Sequence, residues 1–143
     1  MKKILSLFVI TIFVLTSCKK YEEGPSFTLL SKKSRLANTW RIDRYYENEI
    51  DKTSDALVLF KDFVLVIDKN NMKYTKTFKA LGLLNYGETG SWNFSSDQSQ
   101  VEFKPDDTNI QPYSWKIRKL KITASAFSYV SNNATYKLYL LQK

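Results

Sequence analysis

The sequence predicts an all-β domain: an antiparallel up-and-down barrel of about eight strands, with a two-sheet β-sandwich as the alternative topology. Three observations carry this. Apolar and polar residues alternate with period two through several short runs, the pattern of a strand with one buried face. Two asparagine-bearing turn signals, Asp68-Lys69-Asn70-Asn71 and Asn132-Asn133, separate runs that can pair as hairpins, because asparagine tolerates the positive φ of tight turns. The chain is also rich in rings, with 3 Trp, 9 Tyr and 9 Phe in 143 residues. Aromatic and β-branched side chains suit a pleated, half-buried surface. No long helical pattern and no repeat at a fixed period competes with this reading.

The elements follow in order. Residues 27–37 fit one or two helical turns, through Leu29, Leu30, Lys32, Lys33, Arg35 and Leu36, or a plain loop. As a helix they would cover an open barrel end. From Asn38 onward Trp40, Ile42 and Tyr46 alternate with Arg41, Asp43, Tyr45 and Glu47, which predicts the first strand. Residues 48–54 are a polar connection. Residues 56–67 are almost continuously apolar, broken at Lys61-Asp62, and read as a strand in one piece or in two segments meeting there. After the Asp68 turn, Met72, Tyr74 and Phe78 alternate with Lys73, Thr75, Thr77 and Lys79. Residues 81–90 carry Gly82, Gly87 and Gly90 and read as a longer loop. Its Leu83, Leu84 and Tyr86 would plug the domain or offer a contact surface.

Trp92 and Phe94 mark the next strand, residues 95–99 a turn, and Val101 with Phe103 its partner. Residues 104–112 are polar, carry two prolines and form a loop. In residues 113–122, Trp115 and Ile117 share one parity while Leu120 and Ile122 share the other. One extra residue near Arg118-Lys119, a β-bulge, brings all four to the inner face. Lys116, Arg118, Lys119 and Lys121 then form an outer basic stripe, either a solvated face or one that meets lipid phosphates or acidic glycan. Phe127 and Tyr129 open another strand. Tyr136, Leu138 and Leu140 complete the last, so the C-terminus is expected to pair into the sheet.

The N-terminus reads as an address. Lys2 and Lys3 precede an apolar run over residues 4–15. A bilayer-spanning helix needs about 20 apolar residues, so this run fits a secretory signal instead. It ends at Leu15-Thr16-Ser17-Cys18, which resembles the lipobox of bacterial lipoproteins. That resemblance implies cleavage before Cys18, a diacylglycerol on its sulfur and an acylated new N-terminus. Two acyl chains suffice for stable anchoring. The organisation expected is a signal over 1–17, a lipidated tether and short lead-in over 18–35, and the barrel over 36–143. Lys20-Tyr21-Glu22-Glu23 resembles the acidic export signal of surface lipoproteins of the Bacteroidetes group, with Tyr21 interrupting it. Outer-membrane anchoring is therefore expected, the cell surface favoured over the periplasmic face.

Composition limits the chemistry. The chain carries no histidine, which removes the commonest general base and metal ligand and every Ser-His or Cys-His triad. Cys18 is the one cysteine, so no internal disulfide forms. Without the signal, the side-chain balance is 20 basic to 14 acidic. In an exported protein that moderate, dispersed charge favours anionic surfaces over nucleic acid. Asp43, Glu47, Glu49 and Asp51 share a parity, but their spacing fits neither a glycosidase pair nor a calcium loop. Neither an enzyme nor a bound cofactor or metal is expected.

Four short patterns complete the sequence reading: Leu36-x-x-x-Trp40-x-Ile42, Tyr45-Tyr46-Glu47-Asn48, Gly90-Ser91-Trp92-x-Phe94 and Trp115-x-Ile117-x-x-Leu120. Together they resemble the lipocalin-like lipoproteins of Bacteroidetes, over roughly residues 36–143. Lipocalins carry Gly-x-Trp on the first strand. Here Asn38 takes the glycine position, and the literal Gly-x-Trp is Gly90-Ser91-Trp92. The resemblance implies a β-barrel, export and an anchor, and with them a calyx for a small apolar or amphipathic ligand. The candidate lining is Trp40, Tyr46, Tyr74 and Phe78 with Trp92, Phe94 and Trp115. The same rings would otherwise fill a solid core, since each buries 150–250 Å² as a class. In that case the protein is an accessory lipoprotein of an envelope complex, with Leu83, Leu84 and Tyr86 as its contact loop.

Overall fold

A computed structural model of the chain describes Tyr21, Glu22 and residues 28–143. The predicted signal and lipobox, Cys18 included, lie outside the described residues. The first element is a short helix, α1 (Lys32–Leu36), started by Ser31, whose hydroxyl accepts from the Ser34 amide at 3.1 Å. It caps one end of a barrel, as a helical lead-in would. Leu36 is fully buried, the Arg35 guanidinium donates to the Leu120 carbonyl at 2.7 Å, and the Trp40 indole donates to the Leu36 carbonyl at 2.9 Å.

The strands are β1 (Thr39–Glu47), the two-residue β2 (Ile50–Asp51), β3 (Phe60–Asp68), β4 (Lys73–Ala80) and β5 (Leu84–Phe94). They continue with β6 (Gln100–Pro105), β7 (Tyr113–Leu120), β8 (Ala124–Ser131) and β9 (Ala134–Gln142). Every pairing is antiparallel: β1 passes over β2 to pair with β3, the strands from β3 to β9 pair in sequence order, and β1 pairs with β9 over Trp40↔Gln142 to Glu47↔Tyr136. The result is a closed eight-stranded up-and-down barrel, with β2 as an extra strand on the edge of β1. Closure leaves no free edge along most of the sheet.

The turns fall where side chains tolerate them. Asn132 and Asn133 both take positive φ, at 48° and 63°, in the β8–β9 hairpin. The β7 irregularity is a register shift between Ile117 and Lys119, the bulge expected from parity. It turns Trp115, Ile117 and Leu120 inward. Ile122 departs from the expectation: it lies beyond the strand end and is exposed.

Three further expectations are corrected. Residues 56–59 belong not to a strand but to a second helix, α2 (Thr53–Leu59). Asp51, just ahead of the Lys52 N-cap, accepts from the Thr53 amide at 2.8 Å, and only Ala56 is buried. A strand here would lack a partner, because β1 and β3 pair over just two positions, Thr39↔Val66 and Trp40↔Leu65. Above those positions the two strands splay and α2 packs against both. The Lys61-Asp62 break is real, as a register shift with Asp62 at φ 58°.

Residues 81–90 are not a loop. Leu81, Gly82 and Leu83 make a turn, with Leu81 and Gly82 at positive φ, and β5 starts at Leu84. Gly90 lies inside that strand for a steric reason: a Cβ there would approach the Lys104 carbonyl to 2.3 Å and the Tyr74 ring to 2.7 Å. Finally, the segment read as a free tether touches the barrel. Tyr21 is buried, donates from its hydroxyl to the Gln98 carbonyl at 3.1 Å, and Glu22 pairs with Lys116 and Arg118.

The barrel thus has two unlike ends. The α1 end is filled by Leu36, Trp40, Leu65, Val101, Ile117 and Leu120, all buried. The opposite end carries the β1–β2 turn, α2, the β4–β5 turn, the β6–β7 loop and the β8–β9 hairpin.

Candidate functional site

The open half of the barrel holds a cavity of about 300 Å³. Tyr45, Phe60, Phe78, Tyr86, Trp115 and Tyr129 line it, and with Tyr136 and Tyr113 behind them they form a circuit of rings. Tyr86 stacks on Phe78 at 4.5 Å between centroids, Phe78 meets Phe60 edge-on at 5.2 Å, and Phe60 meets Tyr45 at 6.2 Å. Tyr45 contacts Tyr136, which stacks on Tyr129 at 5.1 Å, and Tyr129 stacks on Trp115 at 6.1 Å. Trp115 contacts Tyr113, and the Lys76 ammonium closes the circuit between the rings of Tyr113 at 4.7 Å and Tyr86 at 5.8 Å. Ile42, Phe63 and Leu138 add aliphatic and aromatic surface. Lys76, Tyr86, Trp115 and Tyr129 also border a wider cleft of about 790 Å³ that reaches Ile110 and Val130 at the open end.

One ion pair crosses this wall. Lys76 and Glu88 are register partners on β4 and β5, and both side chains turn inward. The Lys76 Nζ lies 2.8 Å from Glu88 Oε2. Three tyrosines complete the carboxylate. Tyr74 and Tyr113 donate to Oε1 at 2.7 and 2.5 Å, and Tyr86 donates to Oε2 at 2.6 Å. Burial works to raise the Glu88 pKa, but the hydrogen bonds from Lys76, Tyr113, Tyr86 and Tyr74 outweigh it and hold it at about 2. Burial first, and the Glu88 carboxylate second, push Tyr86 up to about 12 and Tyr74 and Tyr113 higher still. At neutral pH the cluster therefore holds Glu88 as a carboxylate and Tyr74, Tyr86 and Tyr113 as neutral phenols. On the far wall the hydroxyls of Tyr45 and Tyr129 share a hydrogen bond at 3.0 Å.

The seven rings expected to line a calyx divide into three groups. Phe78 and Trp115 line the cavity. Tyr74 lies behind it, buried and holding Glu88. Trp40, Trp92 and Phe94 belong to the filled half, with the Trp92 indole donating to the Asp68 carbonyl at 2.9 Å. Tyr46 is outside the barrel, edge-on to Tyr139 at 5.8 Å. The reason is a bulge between Ile42 and Arg44. It shifts the phase of β1 by one residue, so Tyr45 takes the inner place opposite Leu138. The contact loop also divides: Leu83 and Leu84 are 83% and 73% exposed, while Tyr86 turns inward to Glu88.

Sequence reasoning missed Tyr45, Phe60, Phe63 and Tyr129 as cavity residues, and the Lys76–Glu88 pair entirely. The pair had a signal. Lys76 has the parity of Tyr74 and Phe78, and Glu88 that of Gly90 and Trp92, so each is a charge on an apolar face. The four carboxylates near β1 do not converge. Asp43 pairs with Arg44, Glu49 with Lys137, and Asp51 accepts from the Thr53 amide. Among the described residues no group of acidic side chains has the arrangement of a metal site.

No protein-family profile matches the sequence, and no curated protein matches it either. Among solved structures, the chain is similar to a lipocalin-like protein from Bacteroides uniformis, with a TM-score of 0.56 at 10% identity, covering 76% of this chain and 99% of that one. The likeness is one of fold: a lipocalin-like barrel with one extra short strand.

Proposed function

We propose that this chain is a non-catalytic binding module of the bacterial cell envelope, a lipid-anchored lipocalin-like protein that holds a small apolar or amphipathic molecule in its calyx. One observation carries the reading: half of the barrel is filled, and the other half keeps a ring-lined cavity of about 300 Å³ with one polar cluster in its wall. That is the low end of the size range for small-molecule sites, which are mostly apolar with a few placed polar groups. Glu88 supports binding over catalysis, because a carboxylate held at about 2 by four donors is a poor proton acceptor.

The anchor is proposed on Leu15-Thr16-Ser17-Cys18, after the short apolar run. Cys18→Ser should abolish lipid labelling and release the protein from membranes. For the calyx, native mass spectrometry of protein extracted from envelopes should show an added small-molecule mass that Trp115→Ala reduces. A clean apo mass from gently extracted protein speaks against the calyx.

A second reading has its own observation. Leu59 and Leu81 are joined by a backbone hydrogen bond of 3.2 Å, and Leu57 and Val58 on α2, Leu83 in the β4–β5 turn and Leu84 at the start of β5 are exposed. Such an aliphatic rim suits an envelope protein partner. Leu83→Asp with Leu84→Asp should then abolish complex formation while leaving ligand binding intact.

A further inference from the structure

The ion pair in the calyx wall sets the charge of what the calyx accepts. An ammonium carries three N–H donors. Lys76 spends one on Glu88 Oε2 and one on the Tyr113 hydroxyl, at 2.8 Å each. One donor remains, on the one charged residue among the ten that line the cavity. Glu88 is saturated by Lys76, Tyr74, Tyr86 and Tyr113. Tyr45 and Tyr129 share a single hydrogen bond, so one of their two hydroxyl protons is also left over. The inner surface offers spare donors, no spare anion and no net charge.

We infer that the calyx selects a small uncharged amphiphile bearing a hydrogen-bond acceptor, such as an ester, ketone or ether on an aliphatic body, over the matching carboxylate or amine. The inference rests on the calyx reading above and adds the ligand's charge class. A carboxylate would have to share Lys76 with Glu88, placing two anions on one ammonium in a poorly solvated space. An amine would face Lys76 and find Glu88, the one buried carboxylate among the described residues, already filled. A neutral carbonyl meets the spare N–H of Lys76 without desolvating a charge of its own.

Matched probes test this: methyl octanoate, octanoate and octylamine, titrated against the full mature domain and read as the change in tryptophan fluorescence, Trp115 being the one of the three tryptophans in the cavity wall. The wild type should bind the ester more tightly than either charged probe, by about tenfold or more. Glu88→Gln removes the counter-charge of Lys76 and should invert the order, so that octanoate becomes the tightest. Lys76→Met removes the spare donor and should weaken the ester without helping octanoate. Should Glu88→Gln lose its cooperative melt, the wild-type order and Lys76→Met decide the matter. Octanoate binding as tightly as the ester in the wild type overturns the charge selection and leaves the calyx standing. Binding of none of the three overturns the calyx with it.

Discussion

Tyr74 and Gly90 are cross-strand partners on β4 and β5, and the tyrosine ring occupies the space a Cβ at position 90 would need. The ring is thereby pressed against the sheet, with its hydroxyl delivered to Glu88 at 2.7 Å. Gly90→Ala forces either the ring or the β6 backbone to move, since the Pro105 Cα is also only 2.8 Å away. Overpacking of this kind costs about 1–3 kcal/mol. A thermal melt should show the loss. An unchanged melting temperature would mean that the glycine is dispensable and the contact is not tight.

The Lys76–Glu88 pair predicts a non-additive cycle. Removing one partner leaves a buried charge uncompensated, at a cost of about 3–5 kcal/mol for fully buried pairs. Lys76 keeps 14% of its side chain in solvent, so the lower end, about 3 kcal/mol, is expected for Lys76→Met or Glu88→Leu alone. The double variant should cost clearly less than the sum, because it leaves three phenols and no stranded charge. Denaturant unfolding of the four proteins measures the coupling, and strict additivity would show the pair to be solvent-screened.

The same cluster sets the pH limits of the fold. Glu88 is held below its ordinary value, so its contribution is present above about 4.5 and is lost as pH falls toward about 2. Tyr86 is raised to about 12, so its contribution is present below pH 10 and is lost between 10 and about 12. Tyr74, Tyr113 and Tyr129 are shifted in the same direction by burial. An alkaline titration followed by tyrosinate absorbance should therefore show part of the nine phenols ionising late, in step with unfolding. Smooth ionisation of every tyrosine near pH 10, with the fold intact, would contradict the cluster.

The barrel was legible in the sequence because alternation and asparagine turns are local signals. The β7 bulge was legible too, since Trp115 and Leu120 fell on opposite parities. The β1 bulge was not. Tyr45 and Tyr46 are both tyrosines, so either could be inner, and only the pairing Tyr45↔Leu138 decides it. Likewise α2 depends on the splay of β1 from β3, a long-range fact that apolar residues 56–59 do not encode. The cavity was hidden for the same reason: its lining comes from β1, β3, β4, β5, β7, β8 and β9, at positions set by register shifts in β1, β3 and β7.

The β1 phase has its own test. Tyr45→Ala removes a ring of the cavity wall and a hydroxyl bonded to Tyr129. Half-buried, it should cost about 2 kcal/mol, below the 3–5 of a fully buried ring. Tyr46→Ala takes away an outer contact with Tyr139 and should stay within about 1 kcal/mol. Only Tyr45→Ala should alter probe binding. The reverse ranking would put Tyr46 inside and remove the bulge.

The docked N-terminal segment bears on which way the open end of the barrel faces. Tyr21 and Glu22 dock at the filled end, on Gln98, Lys116 and Arg118. Three residues of chain reach about 10 Å at most, so an acyl group on Cys18 would hold the filled end near the bilayer and turn the calyx mouth away from it. Fluorophores placed by Lys69→Cys in the β3–β4 turn and by Asn132→Cys in the β8–β9 hairpin report the two ends separately. With a quencher on the lipid headgroups, the acylated protein should lose emission at position 69 and keep it at 132. Tyr21→Ser with Glu22→Ser undocks the segment and should bring the two positions to similar quenching. Stronger quenching at 132 in the unaltered background would turn the barrel over, and with it the route by which a ligand enters.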